Sequence, residues 1–312
     1  MQKTSTSAVQ DWLAASEEDL LSRGLLYLRP SRGRPASGGL VRALVRDPAE
    51  ADRIISGFVT RLHKAAAGDA LISSEDFSCH PARVARPLID GFDSHRIGVL
   101  IWLRRQDLFA EALVKQWGKW NGSRGQDMPR FLNHYVRPLL DYDRLLRHWA
   151  NTLPNVAVPP EIYAEEAPGA PRPDSIRALL TAIGRQDLTP TDAAGLRANV
   201  SPHADRVRHY ATLDQDEDVR RINRGLIRRH GTRFAGRGDL IPPEQRTSIR
   251  ADCLASNERL RARWFPHRYR PFDDTVPLAP APALGAEAVA AFCELLGRGC
   301  SVIASGRPRW ES

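Results

Sequence analysis

The stretch MQKTSTSAVQDWL, residues 1–13, sets a polar Lys-Thr-Ser-Thr-Ser turn directly against an amphipathic helix. Turns of this composition cradle phosphates when a buried strand delivers them, because backbone N–H groups and a helix N-terminus then converge on one anion beside a lysine. The sequence shows no strand ahead of this turn. A loop-helix-strand unit comes next in the chain. Val9, Trp12, Leu13, Leu20 and Leu21 fall near helical spacing, Gly24 stops the helix, and LLYL, residues 25–28, reads as a short apolar strand.

The alternation continues along the chain. PSRGRPASGGL, residues 30–40, is turn-rich, and residues 47–67 form a helical pattern carrying Ile54, Ile55, Phe58, Val59 and Leu62. In DALISSEDFS, residues 69–78, the ALI segment is a short buried strand breaking into a polar turn. RIGVLIWLRRQD, residues 96–107, repeats the theme with a longer apolar run that ends in charges at a helix entrance. Helices are expected over 107–120, 128–150, 174–184 and 243–264, and NVAVPPEIY, residues 155–163, adds one more strand. Strands alternating with helices imply right-handed crossovers, an α/β fold with a central parallel sheet flanked by helices, and ligand groups at the strand C-terminal ends. We expect one α/β domain over residues 1–275, then an Ala- and Pro-rich linker and a terminal helix over 276–312.

Charge narrows the partners. In 312 residues, 45 Lys and Arg face 37 Asp and Glu, a formal charge of +8 and a pI near 9.7, which suits an anionic ligand. The basic stretch VRRINRGLIRRHGTRFAGRGD, residues 219–239, has only Phe234 for base stacking, so no nucleic acid is expected. No GxxxxGK[ST] loop is present, which excludes a Walker-type kinase. Cys79, Cys253, Cys293 and Cys300, and His80, His134 and His203, lack metal-ligand spacing, so no metal is expected. Apolar runs fall short of a membrane span, and the cysteine usage fits a reduced, cytoplasmic protein.

Three strand-end motifs stand in a fixed order: QKTSTS at 2–7, SSEDFS at 73–78 and WLRRQD at 102–107. In that order they resemble the sulfotransferase family, and more closely the bacterial sulfotransferase-like proteins related to carbohydrate-modifying enzymes. Later landmarks are DYDRLLRHW at 141–149, RANVSPHADRV at 197–207 and SNERLRARWF at 256–265, so the resemblance spans residues 2–272. It implies a P-loop NTPase-like sulfotransferase fold. It also implies transfer of a sulfuryl group from the co-substrate 3'-phosphoadenosine 5'-phosphosulfate to a hydroxyl of a small-molecule or glycan acceptor, without a metal. Lys3 would neutralise charge on the leaving phosphate, and Thr4, Ser5, Thr6 and Ser7 would hold the phosphosulfate through their amides. Glu75 would be the general base, and Arg104 would bind the 3'-phosphate with support from Arg105. A late basic loop, here 220–237, closes over the nucleotide in that family.

The chain departs from the family pattern in three places. Ser5 replaces the loop glycine, and Ala112 stands where a serine would bond the 3'-phosphate. The family's first strand is missing, and the expectation is that an apolar strand ending in His or Gly precedes Gln2 in a longer reading frame. Taken alone, each motif has a plainer reading. KTSTS fits a hydroxyl-rich helix cap, residues 73–76 fit a capping box with Glu75 facing solvent, and Arg104 and Arg105 suit salt bridges with Asp107 or Glu111. The alternative functions are a catalytically weakened nucleotide- or glycan-binding member and, less favoured, a basic nucleic-acid-binding protein.

Overall fold

The computed structural model describes residues 6–30, 36–65, 67–92, 95–121, 127–152, 160–162, 174–190, 225, 228 and 240–272. Contacts divide the chain into two units. One comprises residues 1–104, 141–199 and 255–276, and the other 105–140, 200–254 and 277–312.

In the first unit, α1 (Thr6–Ala15) and α2 (Glu17–Ser22) lead to β1 (Leu25–Leu28). Gly24 makes the bend between α2 and β1 at φ +86°, a left-handed conformation that glycine takes without a Cβ penalty. After β1 the chain returns through α3 (Gly38–Arg46) and α4 (Pro48–Ala65) to β2 (Asp69–Ile72). β2 lies parallel to β1, with Tyr27 opposite Leu71 and Leu28 opposite Ile72. A parallel pair needs such a crossover, since no tight turn can join strands running the same way. Asp47 opens α4 by accepting from the Glu50 N–H at 3.1 Å. Beyond β2 come a short 3-10 turn (Glu75–Ser78) and α5 (Pro81–Gly91), then β3 (Ile101–Leu103).

α8 is the next helix of this unit, and α6 and α7 belong to the other. α6 is Gln106–Asn121, α7 is Met128–Phe131 and α8 is Tyr142–Thr152. β4 (Pro160–Ile162) lies parallel to β3, and α9 (Ser175–Ala182) comes after it. One buried cluster holds much of the unit together: Val9, Trp12 and Leu13 of α1, Leu20 of α2, Leu25 and Tyr27 of β1, and Ile176, Leu179 and Leu180 of α9. Leu71 of β2 and Trp102 of β3 pack against the same cluster, so both strand pairs share one apolar layer. Burial also pushes the Tyr27 phenol well above the ordinary tyrosine range and keeps it neutral.

A half-buried ion triad adds register. Glu17 of α2 takes Arg29, just past β1, at 2.6 Å and Arg61 of α4 at 3.0 Å. α5 packs on α3, α4 and α8.

In the second unit, α6 is followed by α7, which Asp127 caps by accepting from the Arg130 N–H at 3.1 Å. The chain then runs through one π turn (Leu132–Val136) and a 3-10 turn (Arg137–Leu139). Trp117 of α6 stacks on Phe131 with ring centres 4.4 Å apart, and Phe131 stacks on Tyr135 at 5.2 Å. The helix α10 (Pro243–Trp264) contributes residues to both units.

All four expected strands are present and the fold is mixed α/β, but the expected single central sheet flanked by helices is not formed by the described residues. They form two parallel pairs instead. The expected continuous helix over 128–150 is broken, because Pro138 lacks an N–H to continue the ladder. Helices α3 and α5 were not expected. The linker and terminal helix over 276–312 lie outside the described residues, as does the basic stretch 219–239 apart from Gly225 and Arg228. Among the described residues no helix is long and apolar enough to cross a membrane.

Gly91 ends α5 where α4 comes closest. A Cβ built there would stand 2.5 Å from Ile55 Cγ2, and Ile55 is itself buried and β-branched. Gly91→Ala should therefore destabilise the protein by about 1–3 kcal/mol through overpacking, read as a lower urea midpoint at unchanged slope.

Candidate functional site

Parallel pairing puts the C-terminal ends of β1 and β2 at one edge, and polar groups gather there. Ser37, fully buried just before α3, donates its N–H to the Ser73 carbonyl at 2.8 Å and its hydroxyl to the Leu28 carbonyl at 3.1 Å. It thus ties the ends of both strands to the start of α3. Ser74 then caps the short turn, its hydroxyl oxygen accepting from the Asp76 N–H at 3.3 Å. Gly38, the first residue of α3, lies close enough to Asp76 that a Cβ would meet Oδ2 at 3.2 Å.

The start of α1 meets the same edge. The Thr6 hydroxyl donates to Glu75 Oε1, and Gln10 Nε2, one turn further along α1, donates to Ser73 Oγ at 3.1 Å. Thr6 is buried, while Ser7 and Glu75 are half-buried. Two helices therefore begin where the parallel pair ends, and each N-terminus carries partial positive charge. Of the sequence-predicted site residues, the structure brings Thr6 and Glu75 into direct contact. Lys3, Thr4 and Ser5 lie outside the described residues. The capping-box reading of residues 73–76 makes Ser73 the cap, but Ser74 takes the Asp76 N–H, Ser73 Oγ accepts from Gln10, and Glu75 turns to Thr6 instead of facing open solvent.

The adjacent arginines have different surroundings. Arg104, at the end of β3 in the first unit, is half-buried, and its carbonyl accepts the Tyr142 hydroxyl at 2.7 Å. Arg105, in the second unit, is buried and forks onto Asp107, with Nε 2.8 Å from Oδ1 and Nη2 3.1 Å from Oδ2. For Arg105 the salt-bridge reading describes the geometry. Ala112 is 5% exposed on α6, so its methyl is a packing group in this structure.

No family model, no curated protein and no solved structure matches the chain. Among the described residues no cluster of three or more His, Cys, Asp or Glu has metal-holding geometry.

Sequence reasoning did not see the buried charge network of the second unit. Glu111 accepts from the Leu240 N–H at 2.9 Å and the Ile241 N–H at 2.9 Å, pairs with Arg246 at 2.9 Å, and lies 3.3 Å from Lys115. Arg246 Nε in turn donates to the Ile241 carbonyl at 3.2 Å. Asp107, Glu111 and Lys115 recur every four residues, so they share one face of α6, and that spacing was the available signal. With both oxygens occupied and its surroundings dry, Glu111 fastens residues 240–241 to α6. Glu111→Ala would leave buried cations and two amides uncompensated, and should destabilise by about 3–5 kcal/mol in equilibrium denaturation.

Proposed function

We propose that the chain is a sulfotransferase-like enzyme that moves a sulfuryl group from 3'-phosphoadenosine 5'-phosphosulfate to a hydroxyl, with a carbohydrate the favoured acceptor. The observation that carries this reading is the Thr6–Glu75 hydrogen bond, which joins a helix N-terminus to a carboxylate at the C-terminal edge of a parallel strand pair. Ligands of open parallel sheets bind at that edge. In this reading the phosphosulfate lies at the start of α1, where backbone amides and the helix dipole favour an anion. Glu75 takes the acceptor proton as the acceptor oxygen bonds to sulfur and the bridging S–O bond breaks toward the nucleotide phosphate. Thr6 holds the carboxylate in place for that transfer. Lys3 meets the charge that develops on the leaving oxygen, and Thr4, Ser5 and Ser7 complete the amide cradle. Arg104 binds the 3'-phosphate.

We infer that the two strand pairs are parts of one parallel sheet of the P-loop type. Leu71 and Trp102, on different pairs, pack against the same cluster. α1 begins at the C-terminal edge of β1 and β2, where Thr6 meets Glu75.

A second reading, a weakened member that binds nucleotide without turnover, is favoured by Ala112, whose buried methyl offers no hydroxyl to a phosphate. Calorimetry with adenosine 3',5'-bisphosphate, followed by transfer of labelled sulfate to a panel of sugars, separates the two. For the enzyme, Glu75→Gln should keep nucleotide binding and lose transfer by about 10²–10⁴-fold. Arg104→Ala should weaken nucleotide binding by about 1.5–3 kcal/mol, and Lys3→Ala should reduce turnover more than binding. Nucleotide binding with no transfer to any acceptor would favour the weakened member. No nucleotide binding would remove the donor assignment.

A further inference from the structure

Asp143 in the first turn of α8 is 1% exposed, yet it faces two arginines that reach solvent. Its Oδ2 accepts from Arg147 Nε at 3.0 Å and from Arg259 Nε of α10 at 3.2 Å. Its Oδ1 is closed to solvent and meets no hydrogen-bond donor among the described residues. All three side chains belong to the first unit.

This arrangement is poor as a stabilising device. A carboxylate placed for stability forks onto one guanidinium through both oxygens, as Asp107 does with Arg105. Here two cations share one oxygen, the other oxygen is bare, and the cluster carries a net positive charge. Both guanidinium groups are anchored through Nε, with side chains 39% and 54% exposed, so their outer N–H groups remain at the surface. Two like charges held side by side repel, and an anion bridging them relieves that repulsion. The anchor also restrains two long side chains before any ligand arrives, which lowers the entropy lost on binding.

We propose that Arg147 and Arg259, held by Asp143, form a clamp for an oxyanion ester, a phosphate or sulfate monoester whose non-bridging oxygens accept one guanidinium each. The clamp stands on its own geometry and does not depend on the donor reading above. Asp143 is a positioning residue, and the arginines make the contact.

The test tracks the arginine Nε–H signals by nuclear magnetic resonance while inorganic phosphate is added to the full chain at constant ionic strength. Two assigned signals, each missing from the matching Arg147→Gln or Arg259→Gln variant, should shift together and saturate. Either substitution should weaken phosphate binding at the remaining arginine by at least about tenfold. Asp143→Asn should weaken it too while leaving both arginines present. Parallel titrations with adenosine 5'-monophosphate and glucose 6-phosphate identify the source of the ester, since the tighter of the two names the class and either supports the clamp. If the two signals do not move with phosphate in the wild-type chain, the clamp is wrong, and that reading needs no variant to fold. It is equally overturned if phosphate binds the double variant as tightly as the wild type.

Discussion

Parallel pairing of β1 and β2 is the constraint on which the first unit depends. Strands running the same way must be joined over the top of the sheet, and the chain spends α3 and α4 on that return. The return brings both strand C-terminal ends to one edge and starts α3 there. Ser37 exists at that edge because the two strand-end carbonyls, of Leu28 and Ser73, need donors in a place where water is excluded. Once the strand ends are tied, the residues after β2 have little freedom, and Glu75 is set against the start of α1.

The same constraint explains what was legible in the sequence. LLYL stands out as an apolar run because β1 is buried along its whole length, and Gly24 stands out because the bend into β1 needs positive φ. The buried strand expected at ALI is only half covered, since Ala70 is exposed and Leu71 and Ile72 are half-buried. The partners of those runs were not legible. Strands of three or four residues carry no alternation that would fix who pairs with whom, and one central sheet was the natural expectation. α3 hides behind Pro35, Gly38 and Gly39, residues that punctuate turns. Its helix survives because Leu40, Val41 and Leu44 bury against the core, a tertiary gain that outweighs local propensity. Over 128–150 the apolar pattern is helical throughout, and the missing N–H of Pro138 divides it, with Asp141 capping the new helix by accepting from the Arg144 N–H at 2.9 Å.

The candidate site was half legible for a related reason. That the Ser-Ser-Glu segment forms a serine-capped turn could be read from its residues, although the capping hydroxyl is Ser74's and not Ser73's. That Glu75 would meet Thr6, 69 positions away, could not be read, because tertiary contacts leave no local trace. Arg104 and Arg105 make the limit plain. They are chemically identical neighbours at a strand end, yet one backbone step sends Arg105 into a dry pair with Asp107 and leaves Arg104 half-buried.

Two buried carboxylates show how geometry separates holding a fold from serving a ligand. Glu111 uses both oxygens on two backbone amides and two cations, so little of its charge is left uncompensated. A buried carboxylate satisfied in that way fixes structure and has nothing to offer a ligand. Asp143 is at least as well hidden, but it spends one oxygen on two half-exposed arginines and leaves the other bare. Buried polar groups are normally satisfied, because an unmet one costs stability with no local return. Such a shortfall persists most readily where it holds other groups in a useful position, and the groups Asp143 holds are two guanidinium forks with their donors at the surface.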